Sequence, residues 1–99
     1  MIKIVINNNL IRISGHANYD DYGKDIVCAS VSSIIITSIN AIYRFNKDAI
    51  EFVDNNDVIE ITKLSEDSND EKLLDNMIYM LDELSKDYPK NIKLYRNEG

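Results

Sequence analysis

The chain has 99 residues, 44% hydrophobic and 28% charged, with three Gly and one Pro. That balance suits one folded domain and leaves little material for a linker or a disordered tract. A formal charge of −6 is the wrong sign for a surface that neutralises phosphates, so no nucleic acid partner is expected, whereas a basic polypeptide would be drawn in.

Met1 leads directly into Ile2-Lys3-Ile4-Val5-Ile6, without the basic, apolar and small-residue regions of a secretory signal, and a cytoplasmic protein is expected. The single Cys excludes an internal disulfide, in keeping with a reducing compartment. Ile2, Ile4 and Ile6 alternate with Lys3, and Leu10 to Ser14 alternates again after Asn7-Asn8-Asn9. An amino-terminal hairpin follows, with asparagine's tolerance of positive φ suiting the turn. Gly15 to Lys24 has no sustained period and reads as a loop.

From Asp25 to about Phe45 the apolar residues Val27, Val31, Ile34, Ile35, Ile39 and Ile42 recur at helical spacing, with Asp25 as N-cap. Ile26 to Tyr43 carries no charge but is interrupted by Ser30, Ser32, Ser33, Thr37, Ser38 and Asn40. It is too polar and slightly short for a span of about 20 apolar residues, so no membrane association is expected. An uncharged helix of this kind is expected to be covered on both broad faces, by the sheet on one and by something else on the other, for which a second subunit is a candidate.

Ala49 to Val53 and Val58 to Leu64 are further alternating runs, joined by the turn Asp54-Asn55-Asn56-Asp57. Ser68 and Glu71 have capping-box spacing, and Leu73, Leu74, Met77, Met80, Leu81 and Leu84 continue at helical period to about Asp87. Pro89 ends that helix, and Ile92, Leu94 and Tyr95 make a last short strand. The expected fold is α+β in the order ββαββαβ, a largely antiparallel five-stranded sheet with two helices, in a single domain over residues 1–99.

The only histidine and the only cysteine, His16 and Cys28, stand at the two ends of the loop. With Asp25 as N-cap, Cys28 is the third helical residue, where unpaired N–H groups and the helix dipole favour a thiolate. An imidazole within reach would complete a dyad able to attack an amide carbonyl. Gly15 and Gly23 would let the backbone bend on either side. Asp25 opposes a thiolate unless it faces His16 or the helix N–H groups, and Ser32, four residues after Cys28, shares its helical face. The bland alternatives are a packing cysteine and a solvated histidine. Two ligands per chain do not close a zinc site, although a symmetric dimer could pool two of each. No metal or cofactor is expected, since the chain has no phosphate-binding glycine loop and no nucleotide fingerprint. The tyrosines, among them Tyr19 and Tyr22 of the loop, could line a substrate groove or edge the core.

The run Gly15-His16-Ala17, then Tyr22-Gly23-Lys24-Asp25-Ile26-Val27-Cys28-Ala29 and Val31-Ser32, resembles the signature of the ribosomal-processing cysteine protease Prp family, the YsxB-like proteins. The resemblance implies a homodimeric intracellular endopeptidase that removes the N-terminal extension of a large-subunit ribosomal protein, cutting after an aromatic residue. By position it implies His16 as general base, Cys28 as nucleophile, Asp25 and Ser32 in supporting places, and Gly15 and Gly23 as hinges of a loop closing over substrate. The alternative is a noncatalytic module that binds a ribosomal protein or an assembly factor in the same groove.

Overall fold

The structure, a computed structural model, describes residues 1–17, 20–21 and 25–97. Its elements are β1 (Ile2–Ile6), β2 (Leu10–Ser14), α1 (Ile26–Phe45), β3 (Ile50–Asp54), β4 (Val58–Lys63), α2 (Ser68–Asp87) and β5 (Ile92–Arg96), in the expected order. The sheet runs β3-β4-β2-β1-β5. Pairings β1–β2, β2–β4 and β3–β4 are antiparallel, and β1–β5 is parallel, so the sheet is mixed but mostly antiparallel.

Alternation along the strands decides which face is covered. Ile2, Ile4 and Ile6 of β1 and Ile11 and Ile13 of β2 are buried, while Lys3 and Arg12 between them are exposed. Register stacks the apolar positions side by side: Ile4 opposes Ile13, Ile11 opposes Ile61, and Ile2 lies beside Ile92. Val27, Val31, Ile35, Ile39 and Ile42 of α1 and Leu74, Met77, Ile78 and Leu81 of α2 join the same core. Each fully buried side chain of this kind contributes about 1.5–3 kcal/mol.

Three details differ from the sequence-based reading. The turn Asn7 to Asn9, closed by the Asn7 N–H on the Leu10 carbonyl at 2.8 Å, needs no positive φ. Among the described non-glycine residues only Asn56, in the second hairpin, adopts one, at 76°. The N-cap of α2 is Asp67, whose side chain accepts from the Asn69 N–H, and Ser68 is already helical. Glu71 does not close a capping box, because its carboxylate takes Lys63 Nζ at 2.7 Å. The third difference concerns α1, whose length and composition alone would pass for a membrane span. Its assignment as a core helix therefore comes from the five residues it buries against the sheet and α2.

Strand registers place the loops. Ser14 pairs with Lys3 and with Val58, and Ile92 with Ile2. The end of β2 and the starts of β1, β4 and β5 therefore share one end of the sheet. Asn7 to Asn9, Lys63 and Arg96 gather at the other, since Ile6 lies beside Arg96 and Leu10 beside Thr62.

Candidate active site

Gly15 turns the chain out of β2 with φ of +85°, and a Cβ there would run into the Met1 carbonyl oxygen. Only glycine takes that conformation without strain beside so close a backbone neighbour. The bend carries His16 onto the surface and returns Ala17 to the core, where it is 1% exposed. Gly23 and the tyrosines Tyr19 and Tyr22 lie outside the described residues.

Asp25 is the N-cap of α1, and its Oδ1 accepts the N–H groups of Val27 and Cys28, each at 3.0 Å. Asp25 thus faces the helix N–H groups, the arrangement in which its charge is spent on the helix end. Cys28 stands at the third helical position, half-buried against the core, as a free thiol. Its sulfur accepts a hydrogen bond from the Ala17 N–H at 3.3 Å.

His16, Cys28 and Ser32 line one cleft of about 180 Å³, together with Gly15. Apolar side chains of β1, β2, β4 and α1 form its floor, and Asn56 and Asp57 of the second hairpin turn form one wall. The cleft is therefore lined by an imidazole, by a thiol whose sulfur takes a backbone N–H, by a serine hydroxyl and by a carboxylate. That set can attack a carbonyl and handle the protons of an acyl transfer. Among the described residues no tyrosine lines it, and Tyr43 and Tyr88 instead edge the core.

Two contributors escaped the sequence. Ala17 stood in the Gly15-His16-Ala17 run, but an alanine's backbone donor leaves no compositional mark. Asn91, in the turn before β5, donates from Nδ2 to the Ala17 carbonyl at 2.9 Å across 74 positions of sequence, and no local pattern announces that. Asn56 and Asp57 were visible only as turn residues.

The family model of the cysteine protease Prp matches residues 1–93. The ribosomal processing cysteine protease Prp of Staphylococcus aureus is 32% identical over 85 residues, which span 83% of this chain and 80% of the relative. The crystal structure of an essential S. aureus Prp with a covalently linked product peptide superposes with a TM-score of 0.91 at 26% identity, covering 98% of this chain and 100% of that one. A second S. aureus Prp structure, in complex with a substrate peptide, gives 0.75 at 25% identity over 97% of both chains.

Proposed function

The chain belongs to the cysteine protease Prp family, and from that premise we propose that residues 1–99 act as a single protease domain with a Cys28–His16 dyad. Its substrate is the N-terminal extension of a large-subunit ribosomal protein, cut after an aromatic residue in the cytoplasm. The observation that carries this reading is the shared cleft: His16 and Cys28 line it together, with a backbone amide already directed at the sulfur.

In this mechanism His16 takes the thiol proton and the Cys28 sulfur gives its electron pair to the scissile carbonyl carbon. The C–S bond forms and the carbonyl π pair moves onto oxygen. When that pair returns, the C–N bond breaks and the amine leaves with the proton from His16. A water, deprotonated by His16, then attacks the thioester, and the C–S bond breaks to restore the sulfur. Asp25 holds the first turn that presents Cys28, Ser32 sits at the rim within the cleft's reach of substrate, and Gly15 fixes the direction in which His16 leaves β2. Asp57 adds negative charge where a basic polypeptide would enter.

The proposed assembly is a homodimer. Ile26, Ala29, Ser33 and Ile36 leave an exposed, uncharged strip on α1, and a second copy laid over it would supply the missing cover. A sedimenting species of twice the chain mass is the expected result, and a monomer across the working concentration range would reject it.

The direct test is cleavage of a peptide copying the ribosomal extension. Cys28→Ala is expected to abolish turnover with an unchanged circular dichroism spectrum. Retained cleavage by that variant would reject the dyad. A cleft that only binds would also leave Cys28 slow to react with iodoacetamide at neutral pH, whereas the dyad reacts quickly in the folded protein.

A further inference from the structure

We propose that the Ala17 backbone N–H is the donor that follows the negative charge from sulfur to substrate oxygen, and that Asn91 is the positioning residue that holds it there. The inference rests on the peptidase reading of His16 and Cys28 and names the groups that serve the charge.

A helix N-terminus would ordinarily supply that donor, because its first N–H groups lack intrahelical partners. Here the N–H groups of Val27, Cys28 and Ala29 are taken. The Val27 and Cys28 N–H groups both donate to Asp25 Oδ1 at 3.0 Å, and the Ala29 N–H donates to the Asp25 carbonyl at 3.1 Å. The Ala17 N–H is differently placed, reaching the sulfur at 3.3 Å from outside helix α1.

Its position is held from three sides. The Ala17 side chain is packed in the core, its N–H faces the sulfur, and its carbonyl receives Asn91 Nδ2 at 2.9 Å. Asn91 is itself anchored: its N–H donates to the Tyr88 carbonyl at 3.0 Å, and its carbonyl accepts the Ile2 N–H at 2.8 Å. One residue in the α2–β5 turn, by its backbone and its side chain together, thereby ties the end of α2 and the start of β1 to the residue that follows His16. A donor fixed in this way does not have to reorganise when charge develops, which is the condition for large electrostatic stabilisation.

The charge path follows from the chemistry. As the Cys28 sulfur shares its electron pair with the carbonyl carbon, the π pair moves to the oxygen, one bond beyond the new C–S bond. An N–H already beside the sulfur then faces the oxyanion. When the C=O bond re-forms and the amine departs with the proton from His16, the demand on the donor falls. The interaction strengthens only as charge reaches oxygen, so its loss lowers kcat more than it raises KM.

Two variants test the assignment in the peptide-cleavage assay, each compared with wild type. Asn91→Asp keeps the size and shape of the side chain but points a carboxylate oxygen at the Ala17 carbonyl. It is expected to lower kcat about 10–100-fold with KM within about threefold of wild type, and to slow alkylation of Cys28 at neutral pH. The second variant removes the donor itself: a synthetic segment 1–27 with lactate in place of Ala17 is ligated to residues 28–99 through Cys28, with an all-amide ligated chain as control. Its kcat is expected to fall about 10²–10³-fold. Either variant, once its circular dichroism and melting curve show it folded, decides the matter. Wild-type kcat in a folded variant, or a loss confined to KM, overturns the proposal. An inactive wild type would instead reject the peptidase reading itself.

Discussion

The two ends of the sheet carry clefts of similar size and opposite character. The one at the end of β2 holds His16 and Cys28 in about 180 Å³, and the one behind the first hairpin turn, lined by Asn7 to Asn9, Lys63, Glu71 and Arg96 among others, has about 220 Å³. The roomier cleft is also the more heavily charged, yet its strongest groups are spent on each other: Lys63 Nζ meets Glu71 Oε1 at 2.7 Å. In the other cleft a thiol and an imidazole stand near an amide that already points at the sulfur. On the proposed reading, neither volume nor charge density marks the chemistry; a thiol with a backbone donor on its sulfur does.

Several substitutions would break or sharpen this contrast. His16→Ala, at the reactive end, is expected to reduce turnover about 10⁴-fold, because nucleophile and base act as one unit. Steady-state cleavage of the extension peptide measures it, and a loss of less than about tenfold would leave the sulfur without a proton acceptor in the scheme. Gly15→Ala comes next. It forces a side chain into a left-handed backbone and against the Met1 carbonyl, so a destabilisation of about 1–3 kcal/mol is expected in urea unfolding. Turnover should fall as well, since His16 is the next residue.

Asp25→Ala removes the acceptor of two N–H groups at the start of α1. The expected cost is about 1 kcal/mol in the same unfolding measurement, with a smaller effect on turnover than His16→Ala.

The smallest effect belongs to the far cleft. Lys63→Met should leave cleavage kinetics unchanged and lower the melting temperature slightly. The hydrogen bond that its ammonium donates to the Glu71 carboxylate holds Lys63 above its ordinary value of 10.5. A group whose folded value is raised contributes stability that is fully present below the unfolded value and is lost as pH rises through the folded one. Thermal melts of wild type and Lys63→Met should therefore differ at neutral pH and converge only above the ordinary lysine range. A change in kcat at pH 7 would show that the two clefts communicate.

Local pattern made much of the fold legible. Alternation in Ile2–Ile6 and the 3.6-residue spacing from Val27 to Ile42 each report one buried face, and both faces are buried where those periods place them. Asp25 was legible as a cap because capping is settled within three residues. The start of α2 was harder, since Asp67 and Ser68 are both good caps. The choice between them follows from partners outside the helix: Glu71 takes Lys63 on β4. Asp70, 3% exposed, accepts from Ser65 Oγ at 2.9 Å and Asn46 Nδ2 at 3.3 Å. Such a buried carboxylate joining two helices looks, in sequence, like one more acidic residue in a first turn.

What the sequence determined alone was the set of reactive groups and the elements that carry them. One thiol sits at a capped helix start, one imidazole follows a strand after a glycine, and an α+β order separates them by a loop. Each depends on interactions spanning a few residues, so each leaves a periodic or spaced trace. Tertiary structure decided which amide reaches the sulfur and how Asn91 reaches back across the sheet to Ala17. Those contacts arise where strands β1, β2 and β5 come into register. Hydrogen bonds made across such distances depend on the packed geometry of the whole sheet, and no short stretch of sequence encodes it.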